Sequence, residues 1–286
     1  LDDLFQKSLA QIVEFSFLES PKLGANQVKF LEEILPQFEK AYLGPDALVE
    51  DDVEKAMYGR QRVAQISGGL GDQEKARKIL FSILEVLSLQ QEQIQSRLKI
   101  KITTLVMISN CYFLERNWAS SIKWMNDARV LLPSVEENLD DELKMLGYLI
   151  MAGLGKSYIE TGLLDEAERF ILDSEARLMA VNVGLQENRN RKILASSLNS
   201  AAEIYSRKLN WAKAILLHEK AILEARRFLL LNKSDPESRL SLLGYMNNLS
   251  ATLLRSGQQE NAMIQMDKTQ AEFEIAVAEF PGFSEI

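Results

Sequence analysis

The residues of this 286-residue chain that could do acid–base chemistry are its paired acids: Asp51 with Asp52, Glu136 with Glu137, and Asp140 with Asp141. Neighbouring carboxylates can divide general acid and general base work between them. Each pair, however, stands at the start of a long helix-forming stretch, where a carboxylate caps free backbone amides and meets the positive end of the helix dipole. Ser234, Asp235, Pro236 and Glu237 repeat that logic, with proline at a first-turn site. Gly68, Gly69 and Gly71 come nearest to a phosphate loop, but they follow a helical pattern and lack the lysine with serine or threonine. They read as a hairpin turn. Cys111, the one cysteine, permits no internal disulfide, favours a reducing cytoplasm, and reads as a buried small hydrophobe. His218, the one histidine, reads as a partly buried packing residue, and a metal site would need ligands this chain scarcely has. No catalytic residue, metal ligand or cofactor is assigned, and the expectation is a protein that is not an enzyme.

Charge narrows the partners. Lys and Arg number 33 against 41 Asp and Glu, a formal net charge of -8. The basic spots, Arg189 with Arg191 and Lys192 and then Arg226 with Arg227, are short and flanked by acids or apolar residues. Wrapping a nucleic-acid backbone needs clustered cations on one face, so nucleic acid is not expected as a partner. The longest obvious apolar run, residues 228–231, is far short of the ~18 residues of a membrane span. The first residue is leucine, and the chain is expected to be an arm of a larger protein.

What positions these residues is a repeat. Ala76, Ser121, Ala167, Ala214 and Ala262 recur at intervals of 45, 46, 47 and 48 positions, and twelve residues before each stands another small residue: Ala64, Ser109, Gly155, Ala202 and Ser250. Between them lies a turn signal: Gly71 with Asp72, Arg116 with Asn117, Gly162, Leu209 with Asn210, and Gly257. Small residues at fixed points on two helices let their backbones approach closely, and Tyr112, Tyr158 and Tyr205, three residues after the first small position, fill the space beside them. About twelve helices are predicted: 2–19 and 26–43; then 52–67 with 73–89, 95–114 with 118–132, 140–160 with 164–181, 187–207 with 211–231, and 236–255 with 259–280. The first two read as an N-terminal helical cap or worn repeat over residues 1–47, and residues 48–286 as a single continuous array. Pro36 is expected to kink or split the second helix. Trp118 and Trp211 are expected to wedge at hairpin bends, and Trp124 to pack between successive repeats.

In Gly155, Tyr158, Gly162 and Ala167, and in Ser109, Tyr112, Ser121, Ala128 and Pro133, the chain resembles the tetratricopeptide repeat (TPR) family. The resemblance spans residues 51–274, although these units exceed the family's usual ~34 residues. It implies an all-α fold, a right-handed superhelical solenoid of antiparallel helix pairs, with about five long repeats after the cap. The first helix of each pair is then expected to line a concave groove. That face carries Tyr58, Gln61 and Gln65; Asn110 and Phe113; Lys156 and Glu160; Asn199, Glu203 and Arg207; and Asn247, Asn248 and Arg255.

Residues 246–253 and, less completely, 198–205 resemble the asparagine-bearing first helices of kinesin-light-chain-type repeats, in which such asparagines hold a bound peptide's backbone. An amide suits the task because it offers donors and an acceptor that match a peptide unit. The alternative is that Asn199 and Asn247 sit on a wet face or bond to neighbouring helices; Asn248 is the weaker candidate, since the adjacent position points toward the helix pair. The implied function is a non-enzymatic protein-interaction module that binds a peptide or partner segment, as scaffold or sensor in a larger protein. The whole chain also looks like helical arrays attached to bacterial signalling proteins. The competing reading is a structural homo-oligomerisation element, a homodimer through its ends or convex face, with Phe273, Phe280 and Phe283 as an apolar terminus. An enzyme on an α/α scaffold is a third, and it would need carboxylates converging in one cavity.

Overall fold

Five hairpin turns are built alike. A residue with positive φ closes each one: Gly71, Arg116, Gly162, Leu209 and Gly257. In every case two hydrogen bonds tie the turn back to the helix it ends. Asp72 N–H donates to Ser67 O and Gly71 N–H to Gly68 O; the same pair recurs as Asn117 to Tyr112 with Arg116 to Phe113, Leu163 to Tyr158 with Gly162 to Ile159, Asn210 to Tyr205 with Leu209 to Ser206, and Gln258 to Leu253 with Gly257 to Leu254. This double closure satisfies carbonyls that a helix end leaves open, and it requires a left-handed residue. Arg116 and Leu209 take that conformation at φ 59° without glycine's freedom, which costs about 1 kcal/mol each. Side chains then start the next helix: Asp72 accepts from Lys75 N–H, Asn117 from Ser120 N–H and Asn210 from Lys213 N–H, at 3.0, 3.2 and 3.3 Å.

The computed structural model describes residues 25–44, 53–89, 95–132, 140–180, 187–232 and 236–280. Among them are α1 (Ala25–Tyr42), α2 (Val53–Gly69), α3 (Gln73–Ser88), α4 (Gln95–Leu114), α5 (Trp118–Leu131), α6 (Asp141–Thr161), α7 (Leu164–Ala180), α8 (Glu187–Arg207), α9 (Trp211–Leu231), α10 (Pro236–Arg255) and α11 (Gln259–Glu279). The described residues are helices and turns with no strand, an all-α fold of antiparallel pairs. Helix 2–19 and the acid pairs at residues 51–52 and 136–137 lie outside the described residues, as does Phe283. Asp140 does cap α6, accepting from Leu143 N–H at 2.9 Å, and Pro236 opens α10. Of the kink or split expected at Pro36, the split does not occur, for α1 runs through the proline as one helix. Leu31, Ile34 and Phe38, buried on either side of the proline, hold the helix to the core across the lost N–H.

The chain divides into two units, residues 1–139 and 140–286. In unit 1, α2 pairs with α3 and α4 with α5, while α1 lies on α2. Their shared core joins Leu31, Met57, Val63, Leu80, Ile83, Ile100 and Ile108, each worth about 2 kcal/mol on burial. Trp124 of α5 packs on Phe81 of α3 with ring centroids 5.5 Å apart, bridging two repeats as expected. Trp118 meets Phe113 edge-on across the hairpin bend at 4.9 Å.

In unit 2 the pairs are α6 with α7, α8 with α9 and α10 with α11. The small-residue code is visible at Gly155, where an added Cβ would stand 2.6 Å from Ile171 Cδ1 and 3.4 Å from the Ala167 carbonyl oxygen. Ala202 with Ala214 and Ser250 with Ala262 are buried at the same register. In unit 1, Ala64 with Ala76 is likewise buried, and the second pair is polar: Ser109 Oγ donates to the Ser121 carbonyl at 2.7 Å.

Candidate functional site

The first helices of unit 2 touch one another, α6 with α8 and α8 with α10, and the contact line is polar. Tyr148 Oη and Ser197 Oγ are 3.2 Å apart, and Lys156 Nζ donates to Ser196 Oγ at 3.4 Å. Arg207 donates to the Ile159 carbonyl at 2.7 Å and to Glu203 at 2.6 Å, and lies 3.6 Å from Glu160. Further along, Asn248 Nδ2 donates to Asn199 Oδ1 at 3.2 Å. The line therefore carries a chain of amides and ion pairs that tie α8 to both neighbouring first helices.

Beneath this line stands His218 of α9, its Nδ1 3.0 Å from Asn199 Oδ1. The imidazole is 1% exposed, and burial pushes its pKa down to about 4. It is therefore neutral at pH 7 and can donate through one nitrogen only. Asn199 Oδ1 already accepts from Asn248, so Nδ1 carries the proton and donates as well. With both its lone pairs engaged, that oxygen is fixed in place. Asn199 Nδ2 and Asn248 Oδ1 are left without partners among the described residues, a donor and an acceptor side by side.

The candidates fare differently one by one. Asn247, Asn248, Arg207 and Arg255 are exposed, while Lys156, Asn199 and Glu203 are half-buried. Asn248 corrects its expected direction: it reaches across to α8 rather than into its own helix pair. Asn199 does bond to neighbouring helices, yet keeps its amide nitrogen. In unit 1, Tyr58 is exposed, Gln65 accepts from Arg62 at 3.2 Å, and Asn110 and Phe113 are half-buried. Gln61 departs from expectation: it is 5% exposed, and its Nε2 donates to the Ile100 carbonyl at 3.0 Å and to Thr104 Oγ1 at 2.9 Å. Its amide is used inside the fold, because Thr104 and the Ile100 carbonyl on α4 lie within its reach. Ser196, Ser197 and His218 escaped the sequence reading as members of this face. The last has a signal in hindsight, since a polar ring at a core position of a second helix needs a polar partner.

A denser titratable cluster lies where α8 meets α7. Lys208 Nζ donates to Asp165 and Glu168, both at 2.6 Å, and Tyr205 Oη donates to Glu168 and accepts from Lys213. Those hydrogen bonds raise the Lys208 pKa, and the bonds from Lys208 and Tyr205 hold Glu168 below the usual carboxylate range. A lysine held cationic and a glutamate held anionic brace two helices and are poorly set for proton transfer. The Cys111 thiol is buried, with its pKa pushed up to about 11, so it is an unreactive packing group at neutral pH. Among the described residues no helix is long and apolar enough to cross a membrane.

No protein-family model matches the sequence, and no curated protein matches it either. Solved structures do. The crystal structure of BtubC (BKLC) from P. vanneervenii is similar over 86% of this chain and 89% of that one, at 16% identity and a TM-score of 0.62. The nearly identical TPR-like repeats of a kinesin-light-chain-type protein from Podosopora anserina, and a single-substitution form of the same protein, are each similar over 77% of this chain and 95% of theirs, at 14% identity and a TM-score of 0.55. With five hairpins keyed by the same small residues and closed by the same turn, the chain is a helical repeat protein of the TPR-like fold.

Proposed function

We propose that the first-helix face of unit 2 holds an extended segment of a partner protein, as a non-enzymatic interaction module acting as scaffold or sensor within a larger protein. The observation that carries this reading is the amide pair: Asn199 Nδ2 offers a donor and Asn248 Oδ1 an acceptor, held by the hydrogen bonds that converge on Asn199 Oδ1. A donor and an acceptor side by side complement the C=O and N–H of a peptide backbone without reading its side chains. Asn247 extends the polar surface on α10, and the charges of Arg207, Glu203 and Arg255 supply ionic contacts that would favour some sequences over others. The three similar structures support the architecture on which such a face is built.

The test is capture of partners from cell extract by the chain and by its Asn199→Ala/Asn248→Ala variant, with thermal melting as the control for folding. Removing two backbone contacts should reduce the captured partner about tenfold. Undiminished capture by a folded variant rejects the site.

A further inference from the structure

The outward faces of two second helices in unit 2 carry matching patterns that the first-helix face does not use. On α9, Leu216, Leu223 and Leu230 stand seven residues apart and are 50%, 48% and 70% exposed. Seven residues make two turns, so the three leucines form one stripe along the outside of the helix. Lys213, Lys220 and Arg227 form a parallel stripe at the same spacing, also exposed. The one exposed acid on this helix, Glu219, is one residue before Lys220 and therefore about 100° round from it.

Helix α11 carries the opposite sign. Glu260, Asp267 and Glu274 are exposed and again seven residues apart, with Met263 and Ile264 exposed on either side of that line. Its one exposed base, Lys268, follows Asp267 by one residue, about 100° away. A line of cations beside leucines on one helix thus has its counterpart in a line of acids at the same seven-residue spacing, flanked by apolar residues, on the other. Within one chain Arg226 of α9 lies 3.7 Å from Glu272 of α11, yet every residue of the two stripes is exposed, so the stripes do not cover each other.

We infer that α9 of one copy docks on α11 of a second copy of this chain, and α11 of the first on α9 of the second. A two-fold axis makes both contacts at once, so the assembly closes at two. Two of the cations also have partners in their own chain, since Arg227 shares Glu224 with Arg191 and Lys213 donates to Tyr205 Oη; Lys220 stands exposed at the centre of the stripe. Because the contact uses second helices, it stands whether or not the first-helix face holds a peptide.

Sedimentation velocity at micromolar concentration decides the matter. The chain should run as a dimer, and Leu223→Glu, an exposed change that should leave the melting temperature unaltered, should weaken dimerisation at least about tenfold. Lys220→Glu and Asp267→Lys should each weaken it, and the two together should restore it, a rescue that a general loss of solubility would not give. A strictly monomeric chain overturns the inference, as does a dimer indifferent to all of these changes. So does a monomer that instead floats with vesicles of anionic phospholipid, since the stripe of α9 would then belong to a lipid surface.

Discussion

The two units use one packing code for different ends. In unit 1 the contact between successive first helices is polar too, with Ser96 donating to Glu54 at 2.8 Å and Arg97 3.6 Å from the same carboxylate, but its amide, Gln61, is buried and spent on Thr104 and the Ile100 carbonyl. Unit 2 builds the same contact from Tyr148 with Ser197, Lys156 with Ser196, and Asn199 with Asn248. The difference teaches that register places a polar residue on a helix face, while the neighbouring helix decides whether that residue is structural or available. Gln61 and Asn199 each make two bonds through one atom, but Gln61 is buried inside the fold, whereas half-buried Asn199 keeps its amide nitrogen to offer.

The largest expected break in this comparison is acid. The only histidine of the chain lies in unit 2, neutral in the fold with a pKa of about 4 against an ordinary value near 6.5. Between those values the unfolded chain binds a proton that the folded chain refuses, so the stabilisation is complete above about pH 6.5 and is lost as pH falls toward 4. Urea unfolding of the chain and of His218→Gln across that range should differ by up to about 3 kcal/mol in their pH dependence, with the variant the flatter. Identical slopes would mean that the imidazole is not shielded.

A smaller effect sharpens the division between the units. Gln61→Ala should cost about 1–2 kcal/mol of stability, because Thr104 and a carbonyl lose a buried donor. Asn248→Ala, on an exposed side chain, should cost under about 0.5 kcal/mol and show its effect in partner binding instead. Equal costs in urea titrations would erase the distinction. Smallest is the gain from Leu209→Gly, which relieves a left-handed residue but adds freedom to the unfolded chain. A net stabilisation of a few tenths of a kcal/mol, up to about 1, is expected by thermal melting.

Much of the fold was legible in the residues themselves. Helices predicted at 95–114, 187–207, 211–231 and 236–255 match α4, α8, α9 and α10 end to end, because capping residues and turn signals act within a few positions of the boundary they set. The small positions and the place of Trp118 at its hairpin bend followed from the period. The site was less legible. Asn199 and Asn248 lie 49 positions apart, and choosing Asn248 over Asn247 depends on how α10 is rotated against α8, which no single helix encodes. The burial of Gln61 likewise rests on Thr104, one repeat further on. His218 was correctly read as a packing residue, but its partner could be named only once α9 lay beneath α8.

The five left-handed turn residues carry a lesson in where length can be added. Their spacing rises from 45 to 48 while the distance between the two small positions of each hairpin stays at twelve. Every additional residue has entered the sequence outside the clamped bend, in the remainder of the unit. Inserting a peptide tag or reporter between hairpins should accordingly be tolerated, whereas the same insertion at a bend would unseat both hydrogen bonds that lock it.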